Sequence, residues 1–111
     1  MNADDFRRLA LALPEASEGA HQGHADFRVG GKIFATLGAD ESTGMVKLPP
    51  ELQAELLAEH PEVFEASSGA WGRQGCTQVE LAHARTPMMR AALQAAWRKS
   101  APKKLLREHD S

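Results

Sequence analysis

An apolar stripe predicts a helix at the start of the chain. Four apolar residues recur at positions i, i+3, i+4 and i+7, the spacing of one buried helix face: Phe6, Leu9, Ala10 and Leu13. Asn2 is placed to cap this helix, and Pro14 ends it because the residue before a proline is driven out of the helical conformation. The prediction is therefore a helix over residues 3–13, followed by a loop over residues 14–25.

Short apolar runs separated by glycine predict strands in the middle of the chain. Two β-rich runs come first, at residues 26–29 and 32–37. Gly30 and Gly31 separate them, and a two-residue hairpin turn needs positive φ angles, which glycine adopts without strain. A second turn over residues 38–44 leads to a third run at residues 45–48. The pattern predicts a three-stranded antiparallel meander.

The next part of the chain combines a helix with short extended segments. Pro50 opens a helix predicted over residues 50–59, because proline is tolerated at the first helical position. Residues 63–66 are a short extended segment, and the Gly- and Ser-rich residues 67–75 are predicted to form a flexible loop. Residues 76–81 alternate as in a strand, with Thr77, Val79 and Leu81 on one face and Cys76, Gln78 and Glu80 on the other.

A third helix is predicted near the end of the sequence. Thr86 caps it, Pro87 takes its first position and Pro102 ends it. Its buried stripe consists of Met89, Leu93, Ala96 and Trp97. Residues 103–111 follow as a basic tail, of which residues 103–108 could form a short helix.

The predicted element order, αβββαββα, is typical of an α+β protein. Such a chain buries its apolar stripes by packing a layer of helices on one face of an antiparallel β-meander sheet. We expect one core that contains Leu37, Phe64, Leu93 and Trp97 together with either Phe34 or Ile33. The last two residues remain alternatives because neighbours in a strand point to opposite faces.

Length and composition narrow the class of protein. The 111 residues allow one domain, over residues 1–111, and the 42% apolar and 25% charged residues are typical of a soluble globular protein. No apolar run approaches the roughly 20 residues that span a bilayer. Asp4 and Asp5 stand where a signal peptide carries positive charge, and the single cysteine, Cys76, cannot form an internal disulfide. We therefore expect a cytoplasmic protein.

The charge is distributed unevenly, although its net value is only −2. Residues 1–31 carry −2 and residues 32–66 carry −5, whereas residues 67–111 carry eight Lys and Arg against three acids, a net +5. A basic segment can attract phosphate even in a mildly acidic protein. The alternative is that these cations lie on a solvated helix face and pair with acids elsewhere.

Five segments share an order and a spacing with a known family. They are Phe27-Arg-Val-Gly-Gly-Lys-Ile-Phe-Ala-Thr-Leu, Met45-Val-Lys-Leu, Ala70-Trp-Gly-Arg-Gln-Gly, Ala96-Trp-Arg and Ala101-Pro-Lys-Lys-Leu. This pattern, which extends over nearly the whole chain, resembles the MmcQ/YjbR family of small bacterial α/β proteins. The resemblance implies a compact fold with two β wings and a DNA-binding function, and it supplies no catalytic residues. Relatives tend to carry Trp where this chain has Cys76, so a surface site formed by that Trp would be altered here.

Catalytic and metal-binding constellations are not recognisable in the sequence. His21 and His24 place two imidazoles three residues apart, whereas zinc takes three or four ligands. Cys76 follows Arg73 by three residues, and positive charge favours a reactive thiolate, but no orienting motif surrounds it. We therefore expect no metal, no cofactor and no enzymatic activity.

Trp71 and Arg73, in the loop over residues 67–75, are the strongest candidates for binding. An aromatic ring can stack on a base, and arginine can bind a phosphate. The first hypothesis is a DNA-binding module, with contacts from Trp71, Arg73, Arg98, Lys99, Lys103 and Lys104. Lys32 and Lys47 flank the meander and extend this basic patch.

The second hypothesis is a module that binds a small molecule or a protein. It uses the cleft between the sheet and the loop over residues 67–75, with a lining of His24, Lys32 and Trp71. In the alternative without function, Trp71 covers the sheet edge and Lys47 lies along apolar surface. Under either hypothesis we expect no membrane partner, and a monomer or a weak dimer.

Overall fold

The computed structural model describes residues 1–110. Within them the helices are α1 (Ala3–Leu11), α2 (Pro50–Glu59), α3 (Gly69–Arg73), α4 (Thr86–Ser100) and α5 (Lys103–His109). The strands are β1 (Ser17–His21), β2 (His24–Val29), β3 (Lys32–Leu37), β4 (Thr43–Lys47), β5 (Phe64–Ala66) and β6 (Cys76–Glu80). A short 3₁₀ turn over Leu81–His83 joins β6 to the segment before α4. No helix in this part of the chain combines the length and the apolar character needed to cross a membrane.

All six strands form one sheet, in the order β1-β2-β3-β4-β6-β5. Every neighbouring pair is antiparallel, and the predicted meander, β2-β3-β4, is its centre. Helix α4 packs across β3 and β4, α1 packs on α4 and β4, and α2 packs on β5. The α+β arrangement with helices on one face of an antiparallel sheet is therefore confirmed.

The turn between β2 and β3 is the predicted glycine hairpin. Gly30 and Gly31 have φ angles of 58° and 80°, both in the left-handed region that favours glycine. Gly30 also has a packing role, because a Cβ at this position would overlap the Pro102 ring. The hairpin turn thus lies against the junction between α4 and α5.

A bulge in β3 decides which of Phe34 and Ile33 belongs to the core. Phe27 pairs with Ala35, and the next residue, Arg28, pairs with Ile33, so Phe34 has no direct partner on β2. The extra residue lets Phe34 and Ala35 both face the helices, and both are fully buried. Ile33 is only partly buried and lies on the other face, which leaves Phe34 as the core residue.

The predicted core is confirmed in its other members. Leu37, Phe64, Leu93 and Trp97 are buried in one apolar cluster with Phe34. The Trp97 indole Nε1 donates to the Pro14 carbonyl oxygen at 2.9 Å, which satisfies its polar atom inside the core. The His109 ring meets Trp97 edge-on, with the ring centroids 5.0 Å apart, so α5 packs against α4.

The N-terminal third differs from the prediction in two places. Strand β1, Ser17–His21, and the start of β2 lie within the predicted loop over residues 14–25. The sequence of β1 is polar and mostly exposed, so no apolar alternation marks it, and backbone pairing with β2 holds it in place. Helix α1 ends at Leu11 rather than at residue 13, since the backbone N–H of Ala12 closes the last turn on Arg8 and Ala10.

The C-terminal half differs in two further places and agrees with the prediction in a third. The predicted flexible loop over residues 67–75 contains α3. Two of its five residues are glycines, whose low helix propensity makes the sequence typical of a loop. Thr86 is the first residue of α4 rather than its cap, since Arg85 holds the cap position and makes no side-chain capping hydrogen bond. The short helix considered for residues 103–108 of the basic tail is present as α5, and the final residue of the tail, Ser111, lies outside the described residues.

Candidate functional site

The side chains that point away from the helices line an open groove on the other face of the sheet. Its volume is about 1250 Å³. Strands β2, β3, β4, β5 and β6 contribute His24, Ile33, Thr36, Thr43, Met45, Lys47, Glu65, Cys76 and Gln78. The β3–β4 turn adds Asp40, and α3 adds Trp71. We call this surface the open groove.

The strand register places the groove residues beside one another. Met45 on β4 lies opposite Gln78 on β6, and Lys47 lies opposite Cys76. Directly opposite residues in an antiparallel pair have Cβ atoms about 5 Å apart. Glu65 on β5 is in turn opposite Gln78. The predicted division of β6 into two faces is thus confirmed, and Cys76, 6% exposed, belongs to the groove side.

Trp71 is the most exposed large apolar side chain of the described residues, at 64%. It lies on α3, whose other side is held tightly, because a Cβ at Gly72 would overlap the Ser67 carbonyl oxygen. The indole of Trp71, largely exposed, lies on the wall of the groove.

A buried amide holds the segment that carries Trp71. The Gln53 Nε2 of α2 donates to the carbonyl oxygens of Gly72 and Cys76, at 3.0 and 3.2 Å. It also contacts the Thr77 hydroxyl at 3.1 Å, and this hydroxyl donates to the Gly75 carbonyl oxygen at 2.9 Å. Because Gln53 is buried, these hydrogen bonds take the place of hydrogen bonds to water for the carbonyl oxygens at both ends of the segment. Trp71 is thus displayed from a fixed backbone.

A second cavity, which we call the basic cleft, adjoins the open groove. Its volume is about 410 Å³, and it is lined by Arg28, Gly31, Lys32, Ile33, Lys47, Lys99 and Ser100. It shares Ile33 and Lys47 with the open groove, so the two cavities form one continuous surface. The cleft contains four cationic side chains and no carboxylate among its lining residues.

Lys99 is held in the basic cleft by backbone carbonyls. Its Nζ donates to the Leu48 oxygen at 3.0 Å and to the Gln74 oxygen at 2.7 Å. Gly75 makes this arrangement possible, since a Cβ there would overlap the Leu48 oxygen and lie 2.9 Å from the Lys99 Nζ. The φ angle of Gly75, 106°, is also one that other residues rarely adopt. The Gly-Arg-Gln-Gly stretch therefore positions a lysine from a distant helix.

Arg28, unlike the lysines, is already neutralised. Its Nε and Nη2 donate to the two carboxylate oxygens of Asp26 at 2.9 and 3.1 Å. Asp26 is 1% exposed, and the hydrogen bonds from Arg28 lower the pKa of its carboxyl. Gly19 on β1 leaves space for this carboxylate, because a Cβ there would lie 2.9 Å from its Oδ1. Arg28 thus contributes hydrogen-bond donors to the cleft but little net charge.

The structure brings some of the candidate residues together and separates others. His24, Lys47 and Trp71 line the open groove, and Lys32, Lys47 and Lys99 line the basic cleft. Arg73, Arg98, Lys103 and Lys104 line neither cavity. Arg98 donates to both carboxylate oxygens of Asp110, at 2.8 and 3.0 Å, and this pairing raises the pKa of Arg98 and lowers that of Asp110.

Sequence reasoning missed Arg28 and Met45 as site residues. The signal was present, because each lies between two buried neighbours in an alternating strand and must therefore point to the opposite face. His21 and His24, by contrast, lie opposite each other across the β1–β2 hairpin. Among residues 1–110, no group of three or more His, Cys, Asp or Glu side chains is placed to hold a metal ion.

Comparison with known proteins identifies the family. The fold is similar to that of the Deinococcus radiodurans protein DR2400, a crystal structure with a DUF419 domain, at a TM-score of 0.77 and 20% sequence identity. This similarity covers 96% of the present chain and 86% of the other. No curated protein matches the sequence. The YjbR family model matches residues 11–99, most of the chain, which confirms the resemblance seen in the sequence: the protein belongs to the YjbR family.

Proposed function

We propose that this protein is a non-enzymatic module that binds single-stranded nucleic acid, DNA in the first instance, in the open groove. One observation carries the proposal: an exposed tryptophan on the wall of the open groove lies close to a cleft whose lysines have no acidic partner within residues 1–110. Proteins that bind single strands combine aromatic rings, on which bases stack, with a positive surface that follows the backbone. Trp71 and the basic cleft supply these two parts.

The dimensions of the open face suit a short stretch of single strand. Six strands spaced about 4.8 Å apart give a surface about 24 Å across. Met45 and Ile33 add apolar contact area beside Trp71, and Lys47 stands between the groove and the basic cleft. An exposed ring can stack only on a base whose face is free, which favours an unpaired strand over a duplex.

The charge of the basic cleft supports binding despite the net charge of −2 and despite Asp40 and Glu65, which line the open groove. Within residues 1–110, Lys32, Lys47 and Lys99 have no carboxylate at ion-pair distance, whereas the other cations near the groove are paired or lie elsewhere. Three lysines neutralise at most about three negative charges on a single strand, which gives a slope of log affinity against log salt no steeper than about −2. The family resemblance adds the expectation of DNA, and the basic character of residues 67–111 points in the same direction.

The test is a fluorescence-anisotropy titration of a labelled single-stranded DNA of mixed sequence, at several salt concentrations. We expect binding at about 50 mM salt with the slope given above, since screening is weak there. Trp71→Ala should weaken binding by about 1–3 kcal/mol, and this loss should persist at high salt because stacking is not screened. Trp71→Phe should recover most of the affinity. Leu11→Ala, at the other large apolar side chain that is exposed within residues 1–110, is the matched control and should have no effect.

Three results would contradict all or part of the proposal. If the protein binds neither single-stranded DNA, RNA nor duplex at low salt, it is a module for another ligand. Equal affinity for a mononucleotide and for the full strand shows that the open groove takes a small molecule, which is the second hypothesis from the sequence. Conversion of the strand during the titration would contradict the non-enzymatic part.

A further inference from the structure

We infer that the basic cleft is a subsite for a phosphate monoester, such as the terminal phosphate of a nucleic acid strand whose bases lie in the open groove. This inference rests on the proposed function, because it assigns one end of the bound strand. The ligand chemistry is a dianionic phosphate on a sugar. Its two possible sources, a strand end and a free nucleotide, are separated by the experiment below.

The number of charges in the cleft favours a monoester over an internal phosphodiester. Lys32, Lys47 and Lys99 contribute three ammonium groups, and Asp26 already neutralises Arg28. An internal phosphodiester carries one negative charge, whereas a phosphate monoester carries about −1.5 to −2 at pH 7 and has three terminal oxygens. The monoester therefore matches the charge of the cleft more closely and can accept hydrogen bonds from more of its donors.

Lys99 gives the cleft a fixed cation rather than a flexible one. An ammonium group has three N–H donors, and Lys99 uses two of them on the Leu48 and Gln74 carbonyl oxygens. One donor remains for a ligand, and the side chain has already lost its rotational freedom, so binding costs less entropy. The C-terminal end of α4 carries the equivalent of about half a negative charge, which disfavours an anion. The three ammonium groups together carry a larger positive charge and outweigh it.

The size and position of the cleft fit the end of a strand. Its volume of about 410 Å³ is at the lower end of the range for small-ligand pockets, which is roughly 300–1,000 Å³. The β2–β3 hairpin turn at Gly31 and the last turn of α4 at Ser100 line it, while Ile33 and Lys47 connect it to the open groove. A phosphate in the cleft therefore leaves its nucleoside directed toward the groove.

The experiment compares two strands of identical sequence, one with a 5′-phosphate and one with a 5′-hydroxyl, both labelled at the 3′ end. We expect the phosphorylated strand to bind about 10-fold more tightly, the usual gain from hydrogen bonds to a charged group. Strands with a 3′-phosphate, labelled at the 5′ end, show which end is recognised. Inorganic phosphate should reduce the extra affinity of the phosphorylated strand and leave the affinity of the hydroxyl strand unchanged.

Variants locate the effect in the cleft. Lys47→Gln and Lys32→Gln remove charges from side chains that, unlike Lys99, bind no backbone carbonyl within residues 1–110, and each should reduce the preference to about threefold or less. Arg90→Gln removes the same charge from an exposed position on α4, nine residues before Lys99 and about 13 Å away along the helix, and should keep the full preference. The affinity of the Lys99→Gln variant is compared with that of the parent at temperatures equally far below their melting temperatures, because Lys99 also binds backbone carbonyls.

The outcomes separate this inference from the proposed function. Equal binding of strands with and without terminal phosphates, with Trp71→Ala weakening both, overturns the phosphate subsite and leaves strand binding intact. A preference that survives Lys47→Gln and Lys32→Gln places the phosphate elsewhere and also overturns the inference. If a phosphorylated mononucleotide binds with the same affinity as the phosphorylated strand, the cleft is assigned to a free nucleotide. No binding of any strand overturns the proposed function, and this inference with it.

Discussion

The two faces of the sheet use the same strands for different purposes. On β4 the helix side carries Val46, fully buried, and the next residue, Lys47, points to the other side, where it lines both cavities. The helix-covered face is apolar and closed, whereas the open face mixes lysines, carboxylates, histidine and methionine around a groove. Because side chains alternate along a strand, one short segment can contribute to stability and to recognition independently.

The two faces meet in the segment between β5 and β6. Gln53 reaches this segment from the covered side and binds the backbone of Gly72 and Cys76, while Trp71 projects from it into the open groove. Lys99 also joins the two regions, since it belongs to α4 but lies in the basic cleft. Substitutions on the covered face should therefore change stability, whereas those of Trp71, Lys32 and Lys47 on the open face should change binding alone.

The largest effect is expected in the core beneath α4. Leu93 is 1% exposed and packs in the cluster that contains Phe34 and Trp97. Leu93→Ala should lower the free energy of unfolding by about 2–5 kcal/mol, because it removes buried methyl groups and leaves a cavity. Urea denaturation measures this loss. Gln94→Ala, at the exposed neighbour on the same helix, should change it by less than about 0.5 kcal/mol.

A smaller loss is expected where the two faces meet. Gln53→Ala leaves the carbonyl oxygens of Gly72 and Cys76 without their buried donor, which should cost about 1–3 kcal/mol. Amide hydrogen exchange should also become faster between residues 69 and 77, because the amide is what holds this segment to the sheet. Unchanged exchange there would mean that α3 does not depend on Gln53, and that Trp71 is positioned by other contacts.

The helices and central strands were predictable because local patterns determine them. Helix α2 has the predicted bounds, Pro50–Glu59, and Gly30-Gly31 marked the hairpin without ambiguity. Strand β1 was not predictable, since backbone pairing with β2 holds a polar segment that carries no apolar alternation. The bulge at Phe34 is likewise a property of the pairing of two strands rather than of either sequence alone.

The candidate site was predictable only in part, because local patterns mark some of its residues and the tertiary fold brings the others together. Trp71 stood out as an aromatic residue in a glycine-rich stretch, and its exposure agrees with that interpretation. The basic cleft did not stand out, because Lys32, Lys47 and Lys99 belong to three elements and only the tertiary fold brings them together. The C-terminal excess of positive charge drew attention instead to Arg98, which the structure pairs with Asp110.

The β2–β3 hairpin gives a test of backbone conformation that involves no packing. Gly31 has a φ of 80°, and a Cβ there would meet nothing within 4 Å. Gly31→Val should cost about 1–2 kcal/mol, because a β-branched residue resists this conformation. Gly31→Asn should cost less, since asparagine tolerates the left-handed region. Equal thermal stability of the valine variant and the parent would show that the turn relaxes to another conformation.

Asp26 predicts a pH-dependent contribution from the open face. Its pKa is lowered in the folded protein, chiefly by the hydrogen bonds from Arg28, so it stabilises the fold above its ordinary pKa of 3.8. This stabilisation is lost as the pH falls from about 4 through the lower pKa of the folded state. Asp26→Asn should therefore be less stable than the parent at pH 7, and the difference should shrink on acidification. A difference that is constant between pH 7 and pH 3 would contradict the ion pair.

The smallest effect on stability is expected at the most prominent residue of the open face. Trp71 is 64% exposed and makes no contribution to the buried core, so Trp71→Ala should change the free energy of unfolding by less than about 0.5 kcal/mol. The same substitution should weaken binding of single-stranded DNA by about 1–3 kcal/mol. Leu93→Ala has the opposite profile, with a large loss of stability and, at temperatures where it is folded, unchanged affinity. If Trp71→Ala instead lowered stability by as much as Gln53→Ala, the indole would be part of the packing between the two faces. Its exposure would then no longer indicate a binding role.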